Sequence, residues 1–210
     1  MNSFEKILLE NKAWSEEKKK KDPEFFGRMT QLQKPEFLWI GCSDSRVAVN
    51  EITNTNPGDI FVHRNIANLV VHTDLNLLSV LQYAVEILKV KNIIVCGHYQ
   101  CGGVQAALDT KDLGLINKWL RNIKDVYTKH SAELDLLPHQ EKLDRLTEWN
   151  VKEQILNLSK TTIIQKSWNR EQIPELHGCV YSLKDGIMHE IIYMDHKSIV
   201  DPLYKYELSE

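Results

Sequence analysis

Hydrophobic and polar residues follow two different periods along this chain. Short, mostly apolar runs bounded by turn-forming residues predict β-strands, and longer segments with apolar residues every three or four positions predict helices. We predict strands at 37–41, 59–62, 92–96, 176–183 and 187–194, the last two joined by a hairpin turn at 184–186. We predict helices at 2–21, 75–90, 113–129, 142–158 and 161–168, the first of them ending at Asp22-Pro23.

The alternation of buried strands with helices predicts an α/β fold, with a mainly parallel central β-sheet flanked by helices. We expect one domain over residues 1–210, in which residues 1–34 form an N-terminal helical arm. In parallel sheets, ligands bind beyond the carboxyl ends of the strands. The segments that follow the predicted strands are therefore the first places to look for chemistry.

Composition excludes several classes of function. Lys and Arg number 26 and Asp and Glu number 29, for a formal net charge of −3. That balance offers no basic surface for nucleic acid or for an anionic membrane. Apolar runs such as 93–96 are far shorter than the ~20 residues that a bilayer requires. Residues 1–21 lack the apolar centre of a secretory signal, so we expect a cytoplasmic protein.

Two predicted strands end in segments that carry metal-binding side chains. The first segment, 41–46, reads Gly-Cys-Ser-Asp-Ser-Arg, and the second, 97–103, reads Gly-His-Tyr-Gln-Cys-Gly-Gly. Zinc prefers thiolate and imidazole ligands, and a catalytic zinc keeps one position open for water or substrate. Cys42, His98 and Cys101 provide three such ligands, which predicts one Zn²⁺ per chain.

Asp44 and Arg46 lie two and four residues after Cys42, close enough to act at the same centre. An arginine can hold a carboxylate through two hydrogen bonds and keep it ionised. Asp44 bound to Arg46 would leave the zinc open for water. Asp44 bound to zinc would instead close it, and the spacing leaves both arrangements possible.

Three segments together resemble the signature of β-class carbonic anhydrases. They are 42–46 (Cys-Ser-Asp-Ser-Arg), 63–68 (His-Arg-Asn-Ile-Ala-Asn) and 97–103. The resemblance implies reversible hydration of carbon dioxide to bicarbonate, with Cys42, His98 and Cys101 on zinc and with Asp44 and Arg46 as the catalytic dyad. It also implies a homodimer or homotetramer, with the 1–34 arm packed on a partner subunit.

The same resemblance suggests further site residues. We assign Gln33 to the substrate pocket because family members place a glutamine at this position. We also assign Gly102 to the substrate pocket, because glycine lets the backbone come close to the metal and its ligands.

A finer resemblance is to the bicarbonate-regulated bacterial subclass of these enzymes. Its second, non-catalytic bicarbonate site uses a Trp, an Arg and a Tyr, which correspond here to Trp39, Arg64 and Tyr181. Bicarbonate at that site is implied to shift Asp44 from Arg46 onto zinc, which is a two-state switch. The chain departs from the pattern at Ala48 and Asn50, and also at Cys179 and Ser182, where relatives usually carry other residues.

Three alternatives stay open at this stage. The chain could be a structural zinc protein in which Asp44 permanently closes the site. It could be a thiol-redox module that joins Cys42 to Cys101, although a Cys-x-x-Cys motif is absent. It could also hydrolyse a related small molecule such as carbon disulfide. Cys96 and Cys179 are interpreted as small buried apolar residues.

Overall fold

A computed structural model describes residues 1–208, which divide into two compact units. The first unit is Met1–Lys34 and the second begins at Pro35. Among the described residues, no helix combines the length and the apolar character needed to cross a membrane.

The first unit consists of two helices, α1 (Ser3–Lys21) and α2 (Phe25–Met29). Asn2 caps α1 by accepting a hydrogen bond from the backbone N–H of Glu5, whose carboxylate accepts one from the N–H of Asn2. Every residue of α1 is exposed or half-buried, and its apolar side chains include Phe4, which is 68% exposed. The predicted helix 2–21 is therefore confirmed, whereas the short α2 was not predicted.

The second unit is built around a five-stranded sheet with the order β2-β1-β3-β4-β5. The first four of these strands are parallel and β5 is antiparallel to β4. The strands are β1 (Phe37–Cys42), β2 (Ile60–Asn65), β3 (Asn92–His98), β4 (Glu175–Tyr181) and β5 (Met188–Met194). All five predicted strands and the hairpin between the last two are confirmed. However, β1, β2 and β3 continue beyond their predicted ends.

Seven further helices lie in the described part of the second unit. They are α3 (Val49–Thr53), α4 (Leu75–Gln82), α5 (Gly102–Leu108), α6 (Ile116–Lys129), α7 (Ser131–Leu134), α8 (His139–Ser159) and α9 (Thr162–Glu171). A π-helical turn, Tyr83–Ile87, extends α4, so the predicted single helix 75–90 changes its hydrogen-bond pattern partway. The helices predicted at 113–129, 142–158 and 161–168 are confirmed as α6, α8 and α9, although most of their first and last residues differ from the predicted ones. The short helices α3, α5 and α7 were not predicted.

The two faces of the sheet bury different side chains. Leu38 and Ile40 of β1 lie in the main apolar core, which α4, α8 and α9 also enter. Trp39, on the opposite face of the same strand, packs with Val49 of α3 in a smaller cluster. Cys96 belongs to that smaller cluster as well. The alternation along β1 follows from the two-residue period of a strand.

The strand order places the ends of β1 and β3 side by side. The chain moves from β1 to one neighbour, β2, and then returns to the other neighbour, β3. Such a reversal opens a crevice at the carboxyl ends of the two central strands. Cys42 is the last residue of β1 and His98 is the last residue of β3, so both lie at this crevice.

Candidate active site

The structure brings the three predicted metal ligands together. The ligand atoms of Cys42, His98 and Cys101 all lie within 4.8 Å of one another, and all three residues are buried. The two Sγ atoms are 3.9 Å apart. Two sulfurs each about 2.3 Å from a tetrahedral zinc would be separated by about 3.8 Å, so the pair already has the spacing of a zinc site.

The hydrogen bonding of His98 leaves its ring nitrogen Nε2 available to bind a metal. Nδ1 lies 3.0 Å from the carbonyl oxygen of Tyr99, to which it donates. Nε2 is buried and has no hydrogen-bond partner within residues 1–208. A buried nitrogen without a partner is costly, whereas a metal ion would satisfy it. The donor set and the orphaned nitrogen therefore fit zinc.

The cysteine pair is polarised even without a metal. A hydrogen bond from the Cys101 thiol lowers the pKa of Cys42, against the opposing effect of burial. The pKa of Cys101 is raised because its proton is shared with Cys42 and its sulfur is buried. The pair therefore forms a thiolate at Cys42 more readily than an isolated cysteine does, which favours binding of a cation.

Backbone amides surround both sulfurs. The N–H groups of Ala67 and Asp44 help to lower the pKa of Cys42. The N–H groups of Gly103 and Val104, in the first turn of α5, act in the same direction on the pKa of Cys101. These donors stabilise thiolates over thiols.

Asp44 is held by Arg46. Nε of Arg46 donates to Oδ1 of Asp44 at 2.9 Å and Nη2 donates to Oδ2 at 2.7 Å. The backbone N–H of Arg46 also donates to Oδ1, at 3.0 Å. The side-chain hydrogen bonds of Arg46 are the main reason why the pKa of Asp44 is well below its usual range. Asp44 is therefore an ionised acceptor beside the ligand cluster.

Comparison with known proteins identifies the family. The carbonic anhydrase family profile matches residues 37–188. A carbonic anhydrase of Emericella nidulans is 52% identical over 190 residues, which are 90% of this chain and 83% of that protein. A carbonic anhydrase of Saccharomyces cerevisiae is 30% identical and covers 90% of this chain, with 89% of its own length matched.

Solved structures show the same relationship. A tetrameric β-carbonic anhydrase of Sordaria macrospora superposes with a TM-score of 0.88 at 38% identity, over 92% of this chain and 100% of that chain. A β-carbonic anhydrase of Aspergillus fumigatus gives a TM-score of 0.86 at 37% identity, over 90% of this chain and 91% of that chain. This chain belongs to the β-carbonic anhydrase family. It is therefore an enzyme that hydrates carbon dioxide.

In this carbonic anhydrase, Arg64 binds backbone rather than a carboxylate. Nε and Nη2 of Arg64 donate to the carbonyl oxygen of Cys42 at 2.9 and 2.6 Å, and Nη2 also donates to that of Asp44 at 2.6 Å. Asn50 donates to Thr55 Oγ1 and to the carbonyl oxygen of Asn56, both at 3.2 Å. Arg64 thus supports the loop that carries Asp44 and Arg46.

The three residues predicted for a second bicarbonate site lie on one face of the sheet. Arg64 is opposite Gly41, two residues after Trp39, and Tyr181 is opposite His98. Trp39 and Tyr181 pack in the same apolar cluster. The indole Nε1 of Trp39 is fully buried and has no partner among the described residues.

The two predicted pocket residues have different locations. Gly102 is the first residue of α5, directly after the ligand Cys101. Gln33 lies in the Met1–Lys34 unit, where it is exposed and belongs to neither helix. Its assignment to the substrate pocket stays a prediction.

Sequence reasoning missed the residues that support the ligand loops. The segment after β2 contains two left-handed residues, Ala67 and Asn68, and α8 reaches it with buried amides. Tyr99 Oη donates to Glu148 Oε1 of α8 at 2.9 Å, which fixes the turn between His98 and Cys101. The signal in the sequence was the row of amide side chains at three- and four-residue intervals along α8, but their backbone partners lie more than 80 residues away.

Proposed function

We propose that this carbonic anhydrase works with one zinc ion held by Cys42, His98 and Cys101, and that Asp44 and Arg46 form its catalytic dyad. The observation that carries the proposal is the convergence of two sulfurs and the unpartnered His98 Nε2 within 4.8 Å. When bound, zinc supplies a Lewis acid that makes water acidic enough to serve as a nucleophile near neutral pH.

The residues of the chain then orient the reaction. Asp44 accepts a hydrogen bond from the reacting water, so that an oxygen lone pair points at the carbon of carbon dioxide. Arg46 fixes Asp44 through both carboxylate oxygens and keeps it ionised. The water oxygen forms the new bond to carbon, and the proton that the water loses passes to buffer, which gives bicarbonate.

The proposal is tested by measuring carbon dioxide hydration by stopped flow across pH, with zinc quantified in the same sample. We expect about one zinc per chain, and we expect Cys42→Ser to lose both zinc and activity. Cys96→Ser is the matched control, because Cys96 is also a buried free thiol but lies outside the ligand cluster. Full activity in metal-free protein would overturn the zinc assignment.

The same measurement separates the alternatives. A structural zinc protein would bind zinc and show no hydration at any pH, but Asp44 is held by Arg46 and so favours an open metal. A redox module would need a sulfur–sulfur bond of about 2.05 Å, whereas the two sulfurs are 3.9 Å apart. Carbon disulfide offered in place of carbon dioxide would reveal the remaining alternative.

The second bicarbonate site is also part of the proposal, as in the bicarbonate-regulated subclass. The buried, unpartnered indole N–H of Trp39 supports it, because an anion would provide the missing acceptor. An anion that draws Arg64 toward it would take donors away from the carbonyls of Cys42 and Asp44. The loop that presents Asp44 to Arg46 would then loosen, which couples anion binding to the dyad.

Finally, we propose that the chain forms a homodimer or homotetramer in which the Met1–Lys34 arm packs on a partner subunit. The exposed apolar side chains of α1, such as Phe4 and Ile7, support this assembly, as does the tetrameric relative. Sedimentation of the full chain tests it. Ile7→Glu is expected to shift the protein toward monomer, and a wild-type protein that sediments as a monomer at micromolar concentration would contradict the proposal.

A further inference from the structure

Helix α8 carries a row of amide side chains that are turned away from solvent. Asn150 and Gln154 are 1% and 2% exposed, and Asn157 follows three residues later. Residues spaced by three or four positions share one face of a helix. Buried amides in a helix need partners elsewhere in the fold, because the helix backbone already uses its own hydrogen bonds.

The partners of these amides are backbone groups between residues 67 and 70. Asn150 Nδ2 donates to the carbonyl oxygen of Ala67 at 3.0 Å. Gln154 Oε1 accepts from the N–H of Val70 at 2.7 Å, and Asn157 Nδ2 donates to the carbonyl oxygen of Val70 at 3.1 Å. Gln154 Nε2 also donates to Asn150 Oδ1 at 3.0 Å, which orients the Asn150 amide.

The segment that they hold has an unfavourable backbone. Ala67 has φ 63° and ψ 31°, and Asn68 has φ 49°. Left-handed conformations cost residues with a Cβ about 1–3 kcal/mol each and persist only where the surroundings enforce them. Ala67 has no polar side chain with which to stabilise this conformation itself, so hydrogen bonds from elsewhere stabilise it, and α8 provides those at residues 67 and 70.

This conformation directs the N–H of Ala67 at a metal ligand. Ala67 packs with Cys42 and Cys101 in one buried cluster, and its backbone N–H faces the sulfur of Cys42. The peptide that accepts from Asn150 and the peptide whose N–H faces Cys42 are joined at the Cα of Ala67. The φ and ψ angles of Ala67 therefore set the orientation of one peptide relative to the other.

We propose that Asn150 and Gln154 are positioning residues for the metal centre, which act through Ala67 to fix the hydrogen bond on Cys42. The inference rests on the proposed function, since it gives Cys42 a metal to bind. Residues that orient metal ligands from behind typically change metal affinity or activity by about 10-fold to 100-fold when removed.

The experiment replaces zinc with cobalt(II), whose thiolate-to-metal charge-transfer bands report directly on the sulfur ligands. Wild-type and Asn150→Leu proteins are loaded with cobalt(II), and their absorption spectra and rates of metal loss to a chelator are measured. We expect the charge-transfer band of Asn150→Leu to move to longer wavelength, because a sulfur without its N–H donor is easier to oxidise. We also expect cobalt to leave about 10-fold faster.

Gln165→Leu is the matched control. Gln165 is another buried amide that binds backbone, donating to the carbonyl oxygens of Ser159 and Tyr204 at 3.0 and 2.9 Å. Its backbone partners lie outside residues 67–70. The Gln165→Leu variant is therefore expected to lower the free energy of unfolding while leaving the cobalt spectrum unchanged.

Gln154→Met provides a second variant in case Asn150→Leu does not fold. It removes the hydrogen bond that orients Asn150 and is expected to shift the spectrum in the same direction. A folded variant with the wild-type spectrum and the wild-type rate of metal loss would overturn the proposal, as would an equal shift in Gln165→Leu. A wild-type protein that takes up no metal would instead contradict the proposed zinc site, so the two failures are distinguishable.

Discussion

Oδ2 of Asp44 lies 3.6 Å from Nε2 of His98, while the same oxygen accepts a hydrogen bond from Arg46 at 2.7 Å. The carboxylate therefore lies beside the ligand cluster without bonding to it. Nη2 of Arg46 is also 3.4 Å from the carbonyl oxygen of Gln100, in the turn between His98 and Cys101. Arg46 thus connects the loop after β1 to the loop after β3.

This arrangement predicts that Arg46→Ala impairs turnover much more than metal binding. Without Arg46, the pKa of Asp44 would rise toward the ordinary value of about 3.9, so the carboxylate stays ionised at neutral pH. The loss is therefore one of position, and a catalytic group displaced by about 1 Å can lower the rate by about 100-fold. We expect kcat/KM for carbon dioxide to fall by about that factor with zinc content unchanged.

Arg28→Ala is the control for that variant. Arg28 pairs with Asp22 in the Met1–Lys34 unit, so its removal deletes an exposed arginine–aspartate pair in a unit that contains none of the predicted metal ligands. Arg28→Ala is expected to leave kcat/KM unchanged. A zinc-loaded Arg46→Ala protein with wild-type activity would show that the dyad is only structural.

Tyr181→Phe is expected to weaken inhibition by bicarbonate. The variant keeps the ring that packs beside Trp39 and the backbone carbonyl that accepts from the N–H of Tyr99 at 3.0 Å. It removes one hydroxyl that could donate to an anion, and a hydrogen bond to a charged group contributes about 1.5–3 kcal/mol. A bicarbonate titration of the hydration rate should therefore show inhibition weakened by roughly 10-fold.

Tyr193→Phe serves as the comparison, because Tyr193 is an exposed tyrosine on β5 whose ring lies tilted against that of His177, with the ring centroids 5.3 Å apart. Its inhibition curve should match that of the wild type. If Tyr181→Phe also gives the wild-type curve, bicarbonate does not act through Tyr181.

The ligand cluster could be predicted from the sequence because each ligand lies in a short segment next to a predicted strand. Cys42 and His98 each follow an apolar run, and parallel strands necessarily bring such ends to one edge of the sheet. The order β2-β1-β3 that makes these two strands neighbours is not visible in any single segment. This strand order was not predicted.

What the sequence could not predict depends on contacts between distant segments. The alanine at position 67 gives no indication of a left-handed backbone, since glycine is the residue that normally signals it. The ends of β1 and β3 were placed too early because Gly41 and Gly97 interrupt the apolar runs, yet Cys42 and His98 still pair with a neighbouring strand. In each case tertiary hydrogen bonds override the local preference.

Glu153→Gln is expected to reduce stability at neutral pH but not at low pH. Burial raises the pKa of Glu153, but hydrogen bonds from Lys129 at 2.8 Å and His130 at 2.9 Å outweigh it, and the net pKa is lowered. The ionised carboxylate therefore stabilises the fold above the unfolded-state pKa of about 4.3, and this contribution is lost as pH falls through the folded-state pKa. Urea unfolding should show a loss of about 1–3 kcal/mol at pH 7 that shrinks toward pH 3.

Glu17→Gln provides the exposed counterpart. Glu17 pairs with Lys21 one helical turn away on the surface of α1, where both side chains are more than half exposed. The unfolding free energy should be nearly the same for this variant and the wild type at both pH values. A difference between Glu153→Gln and wild type that does not depend on pH would mean that Glu153 acts through packing rather than charge.

Gly41→Ala tests whether the position of Trp39 matters to the proposed anion site. The indole of Trp39 lies directly over Gly41, so that a Cβ at position 41 would overlap it. Inserting a methyl group into such a packed contact costs about 1–3 kcal/mol and displaces the ring. We expect urea unfolding to show a loss of unfolding free energy of this size, together with weaker bicarbonate inhibition.

Gly102→Ala is the control for stability, because the structure has space for its Cβ among the described residues. Lower stability with unchanged bicarbonate inhibition would show that Trp39 has only a packing role on this face of the sheet.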